Sequence, residues 1–165
     1  MVELVESTLK LANLNRPLPQ VVLTREMNDL IEKTKQHFEA AVSKNIEKIL
    51  DYYAPTEDLL VFVEGPRWVT TGYQNVEKGW RDFCDSAINV KSCEWVENLT
   101  AKVVGQMGFV AGITELNVEI NGNLRTIRFR GTFILEQSAD GNWRVIHEHF
   151  SQPAENPYGI GDWLK

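Results

Sequence analysis

The apolar positions of this chain change their spacing once, near residue 88. Before that point they recur at helical intervals of three and four residues; after it they alternate. Val2, Val5, Leu9 and Ala12 open the chain at helical spacing, and Arg16-Pro17-Leu18-Pro19 then imposes an extended path. This predicts an N-terminal arm over residues 1–24, a body over 25–152 and a C-terminal tail over 153–165. Thr24 is placed to cap a helix over about 25–43, whose apolar stripe is Met27, Leu30, Ile31, Phe38, Ala41 and Val42. A short second helix over about 45–53 turns Ile46, Ile49, Leu50 and Tyr53 inward and ends at Ala54-Pro55. Leu59-Leu60-Val61-Phe62-Val63 reads as a short strand followed by a turn at Glu64-Gly65-Pro66. A third helix, capped by Asn75, carries Val76, Trp80, Phe83 and Ala87 along one face.

The alternating half predicts strands near 90–104, 109–120, 124–137 and 142–151. Asn121-Gly122 and Asp140-Gly141 are hairpin turns because both dipeptides accept positive φ. The inward phase reads Cys93, Trp95, Leu99, Ala101 and Val103 in the first strand, interrupted by Glu97. It continues as Val110, Thr114, Leu116, Val118 and Ile120, then Ile127, Phe129, Gly131, Phe133 and Leu135. Gly112 and Gly131 in mid-strand predict bends. Helices followed by a long meander give an α+β fold: three N-terminal helices packed on a strongly curved, mainly antiparallel sheet, a cone-like barrel with an interior.

The last strand carries both bulk and charge. Strict alternation puts Trp143, Val145, His147 and His149 on one side, and Arg144, Ile146, Glu148 and Phe150 on the other. Ionisable groups among apolar ones on both faces predict protein on both sides, one of them lining a polar cavity.

Composition narrows the partners. The chain has 165 residues, 43% hydrophobic and 24% charged, as an ordinary globular domain does. Its formal net charge of −6 and the absence of a basic stripe argue against a nucleic-acid partner. Arg125, Arg128 and Arg130 alternate with apolar residues and read as a solvated or interface face. The two cysteines, Cys84 and Cys93, form no disulfide framework. No apolar run has the length of a membrane helix and no signal peptide is recognisable, so the expectation is a cytoplasmic protein with no membrane partner. Phosphate loops, nucleophile elbows and cysteine–histidine pairs are not seen, and no cofactor is expected.

Tyr53-Ala54-Pro55 before a short strand, Gly72-Tyr73-Gln74-Asn75-Val76-Glu77-Lys78-Gly79-Trp80 entering a helix, and four long strands ending in Gly141 to Ser151 are arranged in a recognisable order. Over about residues 26–152 the chain resembles the nuclear transport factor 2-like superfamily, in particular its SnoaL-like branch. The resemblance implies a cone with a deep pocket, and a homodimer formed through the outer sheet face. It groups this chain with ketosteroid isomerases, polyketide cyclases, dehydratases and non-enzymatic oligomerisation domains, so fold alone does not fix function. By similarity to the isomerases, Ile146, Glu148 and Phe150 face the pocket while His147 and His149 face outward. The isomerases' oxyanion tyrosine falls on His37 and their second oxyanion donor on Phe133. Their proton-shuttling aspartate falls near Val61–Val63, with Glu64 the nearest carboxylate. With two of three parts missing, steroid isomerase activity is not expected.

The expected catalytic pair is Glu148 with His37. A carboxylate between Ile146 and Phe150, roofed by Trp68 and Trp80, would be partly desolvated, and its pKa would rise as a general acid or base requires. The competing reading has Glu148 neutralised by Arg144 or another nearby arginine, or exposed at the mouth of the cone. His37 is either a boundary histidine or a polar group pointing into the cavity. The expected wall for a hydrophobic small molecule consists of Tyr53, Val63, Trp68, Tyr73, Trp80, Trp95, Thr114, Phe133, Ile146 and Phe150. His147-x-His149 lacks a third ligand and predicts no metal site. The function expected is a cofactor-free isomerase, cyclase or dehydratase acting by general acid/base chemistry, or else a non-catalytic ligand-binding or oligomerisation module.

Overall fold

A computed structural model describes residues 24–63 and 67–154. The expected N-terminal arm, except Thr24, lies outside the described residues, as do the turn at Glu64 to Pro66 and the tail beyond residue 154.

Helix α1 spans Arg25–Val42, with the Thr24 side chain accepting from the Met27 N–H as a first-turn cap. Its buried face comprises Leu30, Ile31, Thr34, His37, Phe38, Ala40 and Ala41, wider than the apolar stripe alone. Helix α2, Ile46–Asp51, is capped by Asn45. Strands β1 (Leu60–Phe62) and β2 (Thr70–Thr71) lead to α3, Tyr73–Asp85. Gly72 rather than Asn75 begins that helix. Gly72 has φ +78, and the Asn75 amide reaches back to the Thr71 carbonyl instead of capping an N–H. Ala87 lies beyond the helix and is exposed.

Four long strands follow: β3 (Ile88–Val104), β4 (Met107–Ile120), β5 (Asn123–Gln137) and β6 (Trp143–Ser151). The sheet runs β2-β1-β6-β5-β4-β3. All pairings are antiparallel except β1 with β6, where Leu60, Val61 and Phe62 lie beside His147, Glu148 and His149. The sheet is curved and does not close.

Curvature is built into β3. Its register slips around Glu97, and Asn98 takes φ +53, a conformation its short polar side chain tolerates. These slips rotate Leu99 outward, where it is exposed, instead of onto the inner face. Gly112 and Gly131 pair directly across β4 and β5. A Cβ on Gly112 would come within 3.1 Å of the Glu97 carbonyl and of the Trp95 ring, and one on Gly131 within 3.2 Å of Trp95 and Phe150. The two glycines therefore let the Trp95 indole lie flat against the bend. The Trp95 Nε1–H donates to Thr34 Oγ1 at 2.9 Å, tying α1 to the sheet.

Helix α1 lies across β3 and β4, and the core between them contains Leu30, Phe38, Ala101, Val110, Phe133 and Leu135. Phe133, fully buried, meets the rings of His37, Phe38, Tyr52, Trp95 and Phe150 at centroid distances of 5.4–6.2 Å. Near-perpendicular crossings dominate this cluster and stiffen the closed end of the cone.

Candidate functional site

Strict alternation fails in β6. Ile134 pairs with His147 and Leu135 with Val145, so Ile146 is the extra residue of a bulge. A bulge shifts the phase by one. Val145, fully buried, and Glu148, 3% exposed, therefore share the inner face with Phe150, although the first two are an odd three positions apart. His147 and His149 remain on the outer face, where each meets the Phe62 ring edge-on and the His147 Nδ1–H donates to the Leu60 carbonyl at 3.0 Å. Ile146, expected in the pocket wall, is displaced from it by the same bulge.

A cavity of about 580 Å³ opens between α1, α3 and the inner face of the sheet. Its lining brings together His37, Tyr53, Val63, Trp80, Phe133, Glu148 and Phe150 from the expected set. Trp68 is not part of it. That indole is 95% exposed, so it roofs nothing among the described residues. Tyr73, Trp95, Thr114 and Ile146 also stand outside the lining. Trp95 backs Phe38 and Phe133 from behind, and Thr114 is consumed in the sheet, its hydroxyl reaching the Phe129 carbonyl. The alternating strands already marked several further lining residues as inward, among them Cys93, Leu116 and Phe129. Arg67 and Asn75, at the polar rim, carried no signal distinguishing them from surface residues.

Four side chains converge at the floor. Tyr53 is brought there by the backbone: the Val145 N–H donates to the Tyr52 carbonyl and the Ala54 N–H to the Val145 carbonyl, both at 2.9 Å, docking residues 52–54 beside β6. The Tyr53 hydroxyl donates to Glu148 Oε2 at 2.5 Å and accepts from the Trp80 Nε1–H at 3.0 Å. His37 Nε2 lies 3.4 Å from the same hydroxyl oxygen. A phenol has one hydrogen, and here the carboxylate takes it, so His37 Nε2 carries the proton and donates. Arg144 is not the partner of Glu148. Its guanidinium holds Asp140 at 2.9 and 3.1 Å across the turn, and that pairing keeps Asp140 well below the ordinary carboxylate range.

Burial decides the charges. His37 is pushed down to about 3, first by burial and then by the Lys33 charge, so it is a neutral imidazole at physiological pH. Tyr53 is raised well above the ordinary phenol value by burial and by the charge and hydrogen bond of Glu148. Tyr52, whose ring stacks on His37 at 4.0 Å, is raised by burial and by the Glu148 charge. Among the described residues the floor thus sets one carboxylate beside the neutral groups of Tyr53, Tyr52, Trp80 and His37 inside a largely apolar wall. Such a group can accept a proton from a bound molecule and return it at another atom.

Comparisons with known proteins agree with the fold. The SnoaL-like domain pattern matches residues 32–155. None of the curated proteins matches the chain. Among solved structures, an NTF2-like protein of unknown function from Pseudomonas putida superposes with a TM-score of 0.68 at 17% identity, over 82% of this chain and 92% of that one. A ketosteroid isomerase-like protein from Erwinia carotovora gives 0.64 at 14% identity, covering 79% and 99%. A structure from Xanthomonas campestris, named for a calcium/calmodulin-dependent protein kinase II association domain, gives 0.65 at 22% identity, covering 86% and 95%. At these identities the likeness is one of fold. Among the described residues no helix is long and apolar enough to cross a membrane.

Proposed function

This chain belongs to the SnoaL-like domain family, and from that premise we propose that it binds a hydrophobic small molecule and moves a proton on it through Glu148. The observation that carries the reading is the position of that carboxylate. It is 3% exposed, faces an apolar cavity, and accepts a hydrogen bond from the buried Tyr53 phenol. Burying a carboxylate costs several kcal/mol, by about the effective desolvation penalty of an ion in protein, and a leucine there would pack without that cost. A group retained at such expense fits proton chemistry better than it fits stability.

In this reading Glu148 is the base that removes a proton from the ligand and, once protonated, the acid that returns it. Tyr53 orients the carboxylate, Trp80 and His37 hold Tyr53, and Phe133 and Phe150 shape the wall. The reaction class is a cofactor-free isomerisation, cyclisation or dehydration. Cytoplasmic location and a homodimer paired through the outer sheet face belong to the same proposal. A second reading, a binding or oligomerisation module without chemistry, is favoured by the fold shared with the structure named for a kinase association domain.

Native mass spectrometry of protein purified from its own host tests the proposal. The expected result is a retained small apolar molecule, lost in a Phe133→Trp variant that fills the cavity. Empty protein that assembles into higher oligomers would favour the second reading.

A further inference from the structure

The floor cluster has a rear side. His37 lines the apolar cavity and also an open polar cleft between α1 and α2, and no other described residue lines both. Lys33, Gln36, Glu39, Asp51 and Tyr52 border that cleft, with Lys33 and Asp51 3.8 Å apart across it. Two buried polar atoms have no hydrogen-bond partner among the described residues, and both belong to this wall: His37 Nδ1 and Tyr52 Oη. Their residues are 4% and 2% exposed. Buried polar atoms are satisfied in the great majority of cases, and water fulfils that role where a polar opening leads to them. Since His37 Nε2 carries the ring proton, Nδ1 is a bare acceptor on a ring stacked against that of Tyr52.

We propose that the α1–α2 cleft is a proton entrance: water held by His37 Nδ1 and Tyr52 Oη links solvent to Glu148 through His37 and Tyr53, behind the bound ligand. The inference rests on the reading of Glu148 as the proton-handling group. It supplies what that reading lacks, because a ligand filling the apolar cavity closes the front route to water.

The transfer balances. A water-borne proton bonds to His37 Nδ1 as the Nε2–H proton passes to Tyr53 Oη, and the original Tyr53 proton passes to Glu148 Oε2. The carboxylate becomes a carboxylic acid, and His37 becomes the Nδ1–H tautomer with Nε2 accepting from Tyr53. The reverse sequence releases the proton. No imidazolium has to persist, in keeping with the low basicity that burial and Lys33 impose on His37. Among the described residues the charged and titratable groups bordering the cleft and floor around His37 are Lys33 and Glu39 from α1, Glu47, Lys48 and Asp51 from α2, Tyr52 and Tyr53 from the segment after it, and Glu148 from β6. Tyr52 acts here as a positioning residue for the water.

Exchange of the His37 ring N–H with solvent tests this without any substrate. In protein labelled with ¹⁵N-histidine, the resonance is assigned by its loss in His37→Gln. Exchange is compared in the wild type, in wild type saturated with 1-anilinonaphthalene-8-sulfonate, in Gln36→Trp/Glu39→Trp, and in Tyr52→Phe. The paired tryptophans replace exposed residues at the cleft, and Tyr52→Phe keeps the stacked ring. The dye should leave the rate within about twofold, the paired tryptophans should slow it about tenfold or more, and Tyr52→Phe about threefold or more. Slowing by the dye but not by the cleft variants, or no response to either cleft variant, overturns the proposal. Failure of the dye to bind counts against the apolar-ligand reading, and the cleft variants alone then decide this one.

Discussion

On the outer face of the sheet, Glu97 and Glu115 share one arginine. The Arg128 Nε–H donates to Glu115 and an Arg128 Nη1–H to Glu97, both at 2.8 Å, with all three side chains open to water. On the inner face, Glu148 has the phenol of Tyr53 and an aromatic surround, while the nearest arginine along its strand is committed to Asp140. The outer carboxylates sit where ionisation costs almost nothing, and the inner one sits where it costs most. Cheap charges serve solubility and strand register; an expensive one points to chemistry. The contrast also separates the histidines, since His147 and His149 stand at the outer face and His37 is buried at the floor of the cavity.

The largest break in this contrast should come from Tyr53→Phe, which removes the donor to a buried carboxylate. Loss of a hydrogen bond to a buried charge predicts destabilisation of about 3 kcal/mol by urea unfolding. A change under about 1 kcal/mol would mean that Glu148 reaches water and that the inner face is not dry.

A second effect concerns pH. His37 titrates near 3 in the folded protein and near 6.5 when unfolded. Its influence on stability is therefore absent above about pH 6.5, and stability declines as pH falls through the window down to about 3. The wild type should lose up to about 1.4 kcal/mol per pH unit more than His37→Gln in that window. Identical slopes would mean that burial does not suppress protonation of His37.

The smallest effect belongs to the outer face. Arg128→Ala should move the Tm by no more than about 2 °C and reduce its sensitivity to salt. A larger loss would show that the exposed network holds the curvature of the sheet.

Much of this architecture is legible in the amino-acid sequence because its signals are local. Asn121-Gly122 takes φ +52 and +79, as the dipeptide predicts for a tight hairpin, and Thr24 caps α1. The alternation in β4 and β5 carries Val110, Thr114, Phe129 and Phe133 inward without a slip. The bulge at Ile146 is different. Nothing about an isoleucine in mid-strand marks it as the extra residue, and only pairing with β5 reveals it. Glu148 and Phe150 face inward both before and after this correction, while Ile146 does not. The slips around Glu97 had a visible trace in the polar residue that broke the inward phase, yet their number and direction depend on β4. Trp68 follows a segment whose course the sequence does not fix, and its bulk alone suggested a roof it does not form. Tyr52 was hidden by its neighbour. Adjacent residues of a helix end do not normally both point inward, and here the bridge to Val145 and the stack on His37 turn them both in.

The most direct test of the buried carboxylate is the pH dependence of ligand affinity in wild type and Glu148→Gln, using the molecule retained from the host or 1-anilinonaphthalene-8-sulfonate. Glutamine keeps an acceptor for Tyr53, so stability should change by less than about 1 kcal/mol. The wild type should bind the anionic dye with an affinity that varies about tenfold or more between about pH 4 and 9, and the variant should bind it more tightly at neutral pH with a nearly flat profile. Superimposable profiles would contradict the account, because they would mean that the ligand does not meet the Glu148 charge.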